Sequence, residues 1–126
     1  MKSIPKRLSH FDKNEVSRFF KTAKRGFRSP NLDILLLPQS YSQGRMLAVI
    51  PAKIANAHLR NYIRRRLKAI FYEEKLYTQG YDFIIICKTP SLHIPFQKLK
   101  DSTLFGITRA IDQYKKSEQV ARHVSA

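Results

Sequence analysis

The sequence predicts one α+β domain with the element order α-β-β-α-β-α, and three observations carry that prediction. Residues 53–71 repeat apolar positions with the period of an amphipathic helix, placing Leu59, Ile63, Leu67 and Ile70 on one stripe. Residues 81–87, Tyr-Asp-Phe-Ile-Ile-Ile-Cys, are apolar and rich in β-branched side chains, the pattern of a central strand buried on both faces. Two shorter apolar runs, residues 32–37 and 46–50, are each closed by a proline, Pro38 and Pro51. A chain of 126 residues with 43% hydrophobic content is the size of one domain around one core.

The elements follow in order. Residues 1–6 form a basic arm with Lys2 and Lys6, expected to be flexible. Asp12 and Glu15 have the spacing of a capping box, so a helix starts after Asp12 and carries Val16, Phe19 and Phe20 inward. It runs to about Lys24, and Gly26 and Ser29-Pro30 stop it. The two short strands come next, joined by a hairpin-type turn over the polar residues 39–44. Asn56 is the expected N-cap of the long helix, which is read to about Leu76. After the strand at 81–87, Thr89-Pro90 breaks the chain. From Pro95 a last amphipathic helix is marked by Phe96, Leu99, Leu104, Ile107, Ile111 and Tyr114, despite Gly106. Residues 116–126 are expected to be a flexible, frayed tail.

Charge points to function more directly than shape does. Lys and Arg number 24 against 9 Asp and Glu, a formal charge of +15. Such an excess repels itself in the folded state unless a polyanion neutralises it, and nucleic acid offers the densest row of phosphates. An anionic membrane surface is the other candidate, but no apolar run approaches the roughly 20 residues that span a bilayer, and none has the layout of a signal peptide. No membrane partner is expected. Cys87 is the single cysteine, which excludes an internal disulfide and suggests a reducing, cytoplasmic setting.

The charge concentrates on the long helix. Opposite its apolar stripe stand Arg60, Asn61, Arg64, Arg65 and Lys68, while Arg66 falls at the apolar edge, where its stem can line the core rim with its head in water. A solvated face that binds nothing is the plain alternative. Such a face would intersperse signs, whereas these cations lack acidic neighbours one turn away, at about 0.2–0.5 kcal/mol for each like-charge pair. Arginine predominates, which suits forked hydrogen bonds to phosphate. Most of the aromatics are read as core. Phe19 and Phe20 are adjacent, so they do not point the same way on a helix, and one of them can face a groove. Catalysis by the protein is poorly supported: His10, His58, His93 and His123 are scattered, the acids are not clustered for metals, and no Gly-rich phosphate loop is present. No catalytic residue and no metal site is expected in the protein itself.

Residues 53–68, Lys-Ile-Ala-Asn-Ala-His-Leu-Arg-Asn-Tyr-Ile-Arg-Arg-Arg-Leu-Lys, resemble the signature of the bacterial ribonuclease P protein component. That family carries Lys-Val-Gly-Asn-Ala, two variable residues, Arg-Asn, then Arg-Ile-Lys-Arg. Arg7-Leu8, Phe19-Phe20-Lys21, Ser29-Pro30 and the strand at 81–87 stand in matching order, so the resemblance covers about residues 7–114. Departures from the pattern are Pro51, Ala52 and Ala55 for serine, lysine and glycine, Tyr62 for a basic residue, and Val16 for a phenylalanine.

The resemblance implies a central, mostly antiparallel sheet with a left-handed βαβ crossover, against the general right-handed rule. It implies that residues 1–126 form one RNA-binding domain, the protein subunit of a ribonucleoprotein that removes the 5′ leader of precursor tRNA. The RNA subunit would perform the hydrolysis with magnesium held mainly by RNA and substrate, one protein pairing with one RNA. By motif match, Lys53, Asn56, Arg60, Asn61, Arg64, Arg65 and Lys68 would lie against the catalytic RNA, and Phe20 would stand in a cleft that holds the single-stranded leader. Two other classes compete. A ribosome-associated protein clamping rRNA fits the composition equally well, and rRNA recovered with the protein in place of ribonuclease P RNA would favour it. A protein-only nuclease would require cleavage by RNA-free protein that one His or acid substitution abolishes.

Overall fold

The structure, a computed structural model, describes residue 5 and residues 8–124, with side chains to residue 120. Apart from Pro5, the basic arm over residues 1–6 lies outside the described residues, as does Arg7. The order is α1 (Lys13–Thr22), β1 (Lys24–Arg28), β2 (Leu32–Pro38), β3 (Met46–Val49), α2 (Ala57–Glu73), β4 (Tyr81–Cys87) and α3 (Phe96–Val124). The predicted α+β class holds, with one strand more than expected.

The additional strand is β1, in the segment read as the end of the first helix. Asp12 does cap α1, accepting the Glu15 N–H at 2.8 Å, with the Glu15 carboxylate returning to the Asp12 N–H. The helix ends at Thr22, and Ser29-Pro30 is the turn of a β1–β2 hairpin: the Ser29 hydroxyl donates to the Leu32 carbonyl at 2.8 Å and accepts its N–H at 3.0 Å. The expected hairpin between β2 and β3 does not form. The sheet order is β1-β2-β4-β3, so β4 lies between them, antiparallel to β2 and parallel to β3. The reason lies in β4 itself. Phe83, Ile84 and Ile85 are fully buried, and the strand with the most apolar surface takes a central position with a neighbour on each side. Residues 39–45 therefore cross the end of β4. Gly44 donates to the Tyr77 carbonyl, and a Cβ at Gly44 would collide with the Tyr81 carbonyl oxygen. The parallel pair makes β3–α2–β4 the crossover unit.

One face of the sheet carries Ile34, Leu36, Met46, Phe83 and Ile85, sealed beneath α2 on the β3 side and α3 on the β1–β2 side. Ile63, Leu67, Ile70 and Phe71 of α2, with Leu99, Ile107, Ala110 and Ile111 of α3, complete this core. The predicted α2 stripe is thus its buried face. Among the described helices, the other sheet face receives α1, through Phe19 on Leu35 and Ile84, with Phe11 packed beside it. Two expected inward aromatics point elsewhere: Phe20 is 43% and Phe96 37% exposed. α2 ends at Glu73, short of Leu76, because Lys75 takes a left-handed backbone with φ 53°. α3 continues through Val124, beyond the fraying expected after Lys115.

Candidate nucleic-acid interface

The N-terminus of α2 is set by Asn56, whose side chain accepts the Leu59 N–H at 2.8 Å. Residues 51–56 lead into it as a tight turn closed by the Ile54 N–H to the Pro51 carbonyl. Ala55 is buried and keeps a negative φ, so the alanine in place of glycine does not strain the turn. No acidic side chain stands in the first turn of α2, which leaves the positive end of the helix dipole uncompensated and suited to an anion.

The structure brings the seven predicted residues of this interface onto one element and its lead-in. Lys53, Asn56, Asn61 and Arg65 are exposed, and Arg60, Arg64 and Lys68 are half-buried along the helix flanks. Arg60 is partly committed: one Nη donates to the Ala55 carbonyl at 3.0 Å and braces the lead-in turn. Arg64 donates to the Asn61 Oδ1 at 3.1 Å, so the asparagine holds that guanidinium in place at the surface. Among the described residues none of Lys53, Arg60, Arg64, Arg65 and Lys68 forms an ion pair. Arg66 lies at the apolar edge as expected, but its head is not left in water: the guanidinium donates to the Ile94 carbonyl at 3.3 Å and stands over the rings of Tyr62 and Phe96.

Several of the acids are engaged in ion pairs away from this face. Glu74 pairs with Lys100 at 2.7 Å and Asp33 with Lys88 at 2.8 Å. Arg45, which the sequence did not single out, binds Glu15 at 2.7 Å and Asp82 at 3.4 Å in a nearly solvent-free setting. Its guanidinium carbon lies 4.3 Å from the Phe11 ring centroid and 4.7 Å from that of Tyr41. Burial raises the Asp82 carboxyl above its ordinary value, and the Arg45 hydrogen bonds and charge oppose that shift without cancelling it. This cluster ties α1, the 39–45 connection and β4 together.

The second sheet face holds a different kind of surface. Beside α1, Leu37, Leu47, Val49 and Ile86 are half-buried and apolar, around the contact of Phe19 with Leu35 and Ile84. Phe19 is therefore the aromatic seated on the sheet, and Phe20, chosen from the motif, stands exposed on the helix. The period of α1 alone did not separate the two neighbours, because the helix has a single fully buried side chain. The signal for Leu47 and Val49 was present in the sequence as a strand apolar on both faces with one helix too few to cover it.

The described residues contain no group of three or more His, Cys, Asp or Glu side chains placed to hold a metal ion. Cys87 is buried, and burial pushes its thiol up to about 11, against smaller opposing pulls from the Ser91 hydrogen bond and the Arg64 charge. No described helix is long and apolar enough to cross a membrane.

Comparison with known proteins gives the same direction. The family model described as ribonuclease P matches residues 5–110. A ribonuclease P protein component of Bacillus velezensis is 33% identical over 115 residues, covering 89% of this chain and 97% of that protein. One from Bacillus pumilus is 32% identical over 102 residues, covering 77% and 83%. Among solved structures, the ribonuclease P protein of Staphylococcus aureus superimposes with a TM-score of 0.70 at 18% identity, covering 80% of this chain and 93% of that one. That of Thermotoga maritima gives 0.67 at 18% identity, covering 76% and 91%. At such identities the structural likeness speaks for the fold.

Proposed function

The chain belongs to the ribonuclease P protein family, and from that premise we propose that α2 docks on the catalytic RNA while the open sheet face receives the 5′ leader of precursor tRNA. Membership makes the chain the protein subunit of ribonuclease P, acting with the RNA subunit in tRNA 5′ processing. The ribosomal alternative is not favoured. The observation that carries the RNA-docking reading is the α2 face: five cations in and before one helix, without an ion pair among the described residues, over a buried stripe that fixes their orientation. Phosphates replace the missing counter-charges and release condensed cations as they bind.

In this reading the RNA performs the hydrolysis, with magnesium held by the RNA and the substrate phosphates, one protein joins one RNA subunit, and the complex works in the cytoplasm. Four of the acids, Glu15, Asp33, Glu74 and Asp82, are each taken up in ion pairs, which makes them poor candidates to hold the metal in the protein. The leader assignment rests on Leu47, Val49 and Ile86, a half-buried apolar strip beside Phe19, and Phe20 stands exposed on the same helix.

The test is precursor-tRNA cleavage by the cognate catalytic RNA at low magnesium, with and without the protein. Cleavage at the mature 5′ end that depends on both is the expected result. A rate unchanged by the protein, together with equal affinity for rRNA, overturns the reading.

A further inference from the structure

A second concentration of unpaired cations lies at the opposite sheet edge from α2. α2 packs beside β3, whereas β1 forms the other edge and is covered by α3. The two elements approach unusually closely. A Cβ at Gly26 would lie 2.7 Å from the Ala110 Cβ, and one at Gly106 would lie 2.7 Å from the Ile34 Cδ1 and 2.8 Å from the Phe27 ring. The pairing of β1 with β2 shifts register between Arg25 and Phe27, a bulge of the kind that re-aims side chains at sheet edges. The result is an open groove of about 400 Å³ between β1 and α3, with Arg28, Arg109, Lys116, Gln113 and Asp112 along it.

Arg28, Arg109 and Lys116 are exposed and form no ion pair among the described residues, so three cations outweigh the single carboxylate of Asp112. Phe105 adjoins the groove through Phe27 and Arg109. Its ring meets that of Phe27 edge-on at 5.8 Å, the Arg109 guanidinium stands 5.4 Å from its centroid, and the side chain is 57% exposed. The ring keeps these two contacts inside the fold, yet most of it stands in water beside arginines that have no counter-charge among the described residues. Those two features together, a cationic track and an exposed ring, are what a single strand of nucleic acid uses for its phosphates and a stacked base.

We propose that the groove between β1 and α3 is a second RNA-backbone site, taking phosphates at Arg28, Arg109 and Lys116 and a base against Phe105. This rests on the chain working within a ribonucleoprotein. With α2 at one sheet edge and this groove at the other, the rigid domain bridges two RNA segments, the second belonging either to the catalytic RNA or to the precursor tRNA.

The test is a pair of salt titrations with intact protein: binding to the catalytic RNA, and binding of precursor tRNA to the reconstituted holoenzyme. R28A/R109A/K116A should lower the slope of log affinity against log salt by about 2–3 in one of the two, with about a tenfold or greater loss of affinity. The titration affected identifies the RNA. R28K/R109K should stay near wild type, and F105A should weaken binding with its slope unchanged. If the triple variant is unfolded by circular dichroism, R109A and K116A, each on the exposed side of α3, should each lower the slope by about 1. Unchanged slopes and affinities in both titrations refute the site. R64A/R65A keeps the two readings apart, because loss of its effect on assembly refutes the α2 assignment instead.

Discussion

On one face of the sheet Ile34, Leu36, Phe83 and Ile85 are sealed beneath two helices, whereas on the other Leu37, Leu47, Val49 and Ile86 stay half-buried beside α1. The strands contribute similar side chains to both faces, so strand composition does not separate them. What separates them is the number of helices available: α2 and α3 both fall on one side, and the ten residues of α1 cover only part of the other. The sealed face holds the domain together. The open face keeps apolar surface that folding leaves unspent, which is the usual mark of a surface made for a ligand.

That contrast can be broken first by truncation. Phe83→Ala, on the sealed face, should cost about 3–5 kcal/mol in urea unfolding, while Leu47→Ala, half-exposed on the open face, should cost about 1 kcal/mol. Equal losses would mean that both faces are core. Next in size, Arg45→Met should cost about 3 kcal/mol, since it leaves the buried Asp82 carboxylate without its cation and frees α1 from β4. An Arg45→Met protein as stable as wild type would show that Phe19 alone seats α1.

Val49→Ala with Ile86→Ala should sharpen the comparison from the other side. Stability should change by about 1–2 kcal/mol, and holoenzyme affinity should fall about fivefold for tRNA carrying its leader and not at all for mature tRNA. A loss common to both RNAs would move the leader elsewhere. Asn56→Ala should lower stability by about 1 kcal/mol in thermal unfolding, through loss of the α2 cap.

The smallest effect concerns Cys87 beneath the sealed face. Its folded thiol lies at about 11 against an ordinary 9.0, so the folded state disfavours the thiolate. Stability is therefore unaffected below about pH 9 and falls as pH rises from 9 to 11, where the unfolded chain ionises and the folded one does not. Cys87→Ala should remove that decline, and the native thiol should resist a disulfide reagent at pH 8. Rapid labelling would show that this face opens.

Local pattern alone determined the capping box at Asp12, the Asn56 cap, the buried stripe of α2 with its cationic back, and β4 as a central strand. Each of these depends on neighbours within a turn or on strand-length composition. β1 was hidden because Lys24-Arg-Gly-Phe-Arg28 has a single large apolar residue and no alternation; it is a strand by virtue of pairing with β2 and accepting α3 over Gly26. The β2–β3 hairpin looked natural because sequence neighbours tend to pair, and β4, arriving more than thirty residues later, displaced it. Gly106 read as a flaw in a helix and proved to be the point where α3 touches Phe27 and Ile34. The choice of Phe19 over Phe20, the burial of Arg45 between two carboxylates, and the meeting of Arg28 with Arg109 likewise required the assembled sheet. Periodicity assigns a residue to a face, and only long-range packing decides what that face meets.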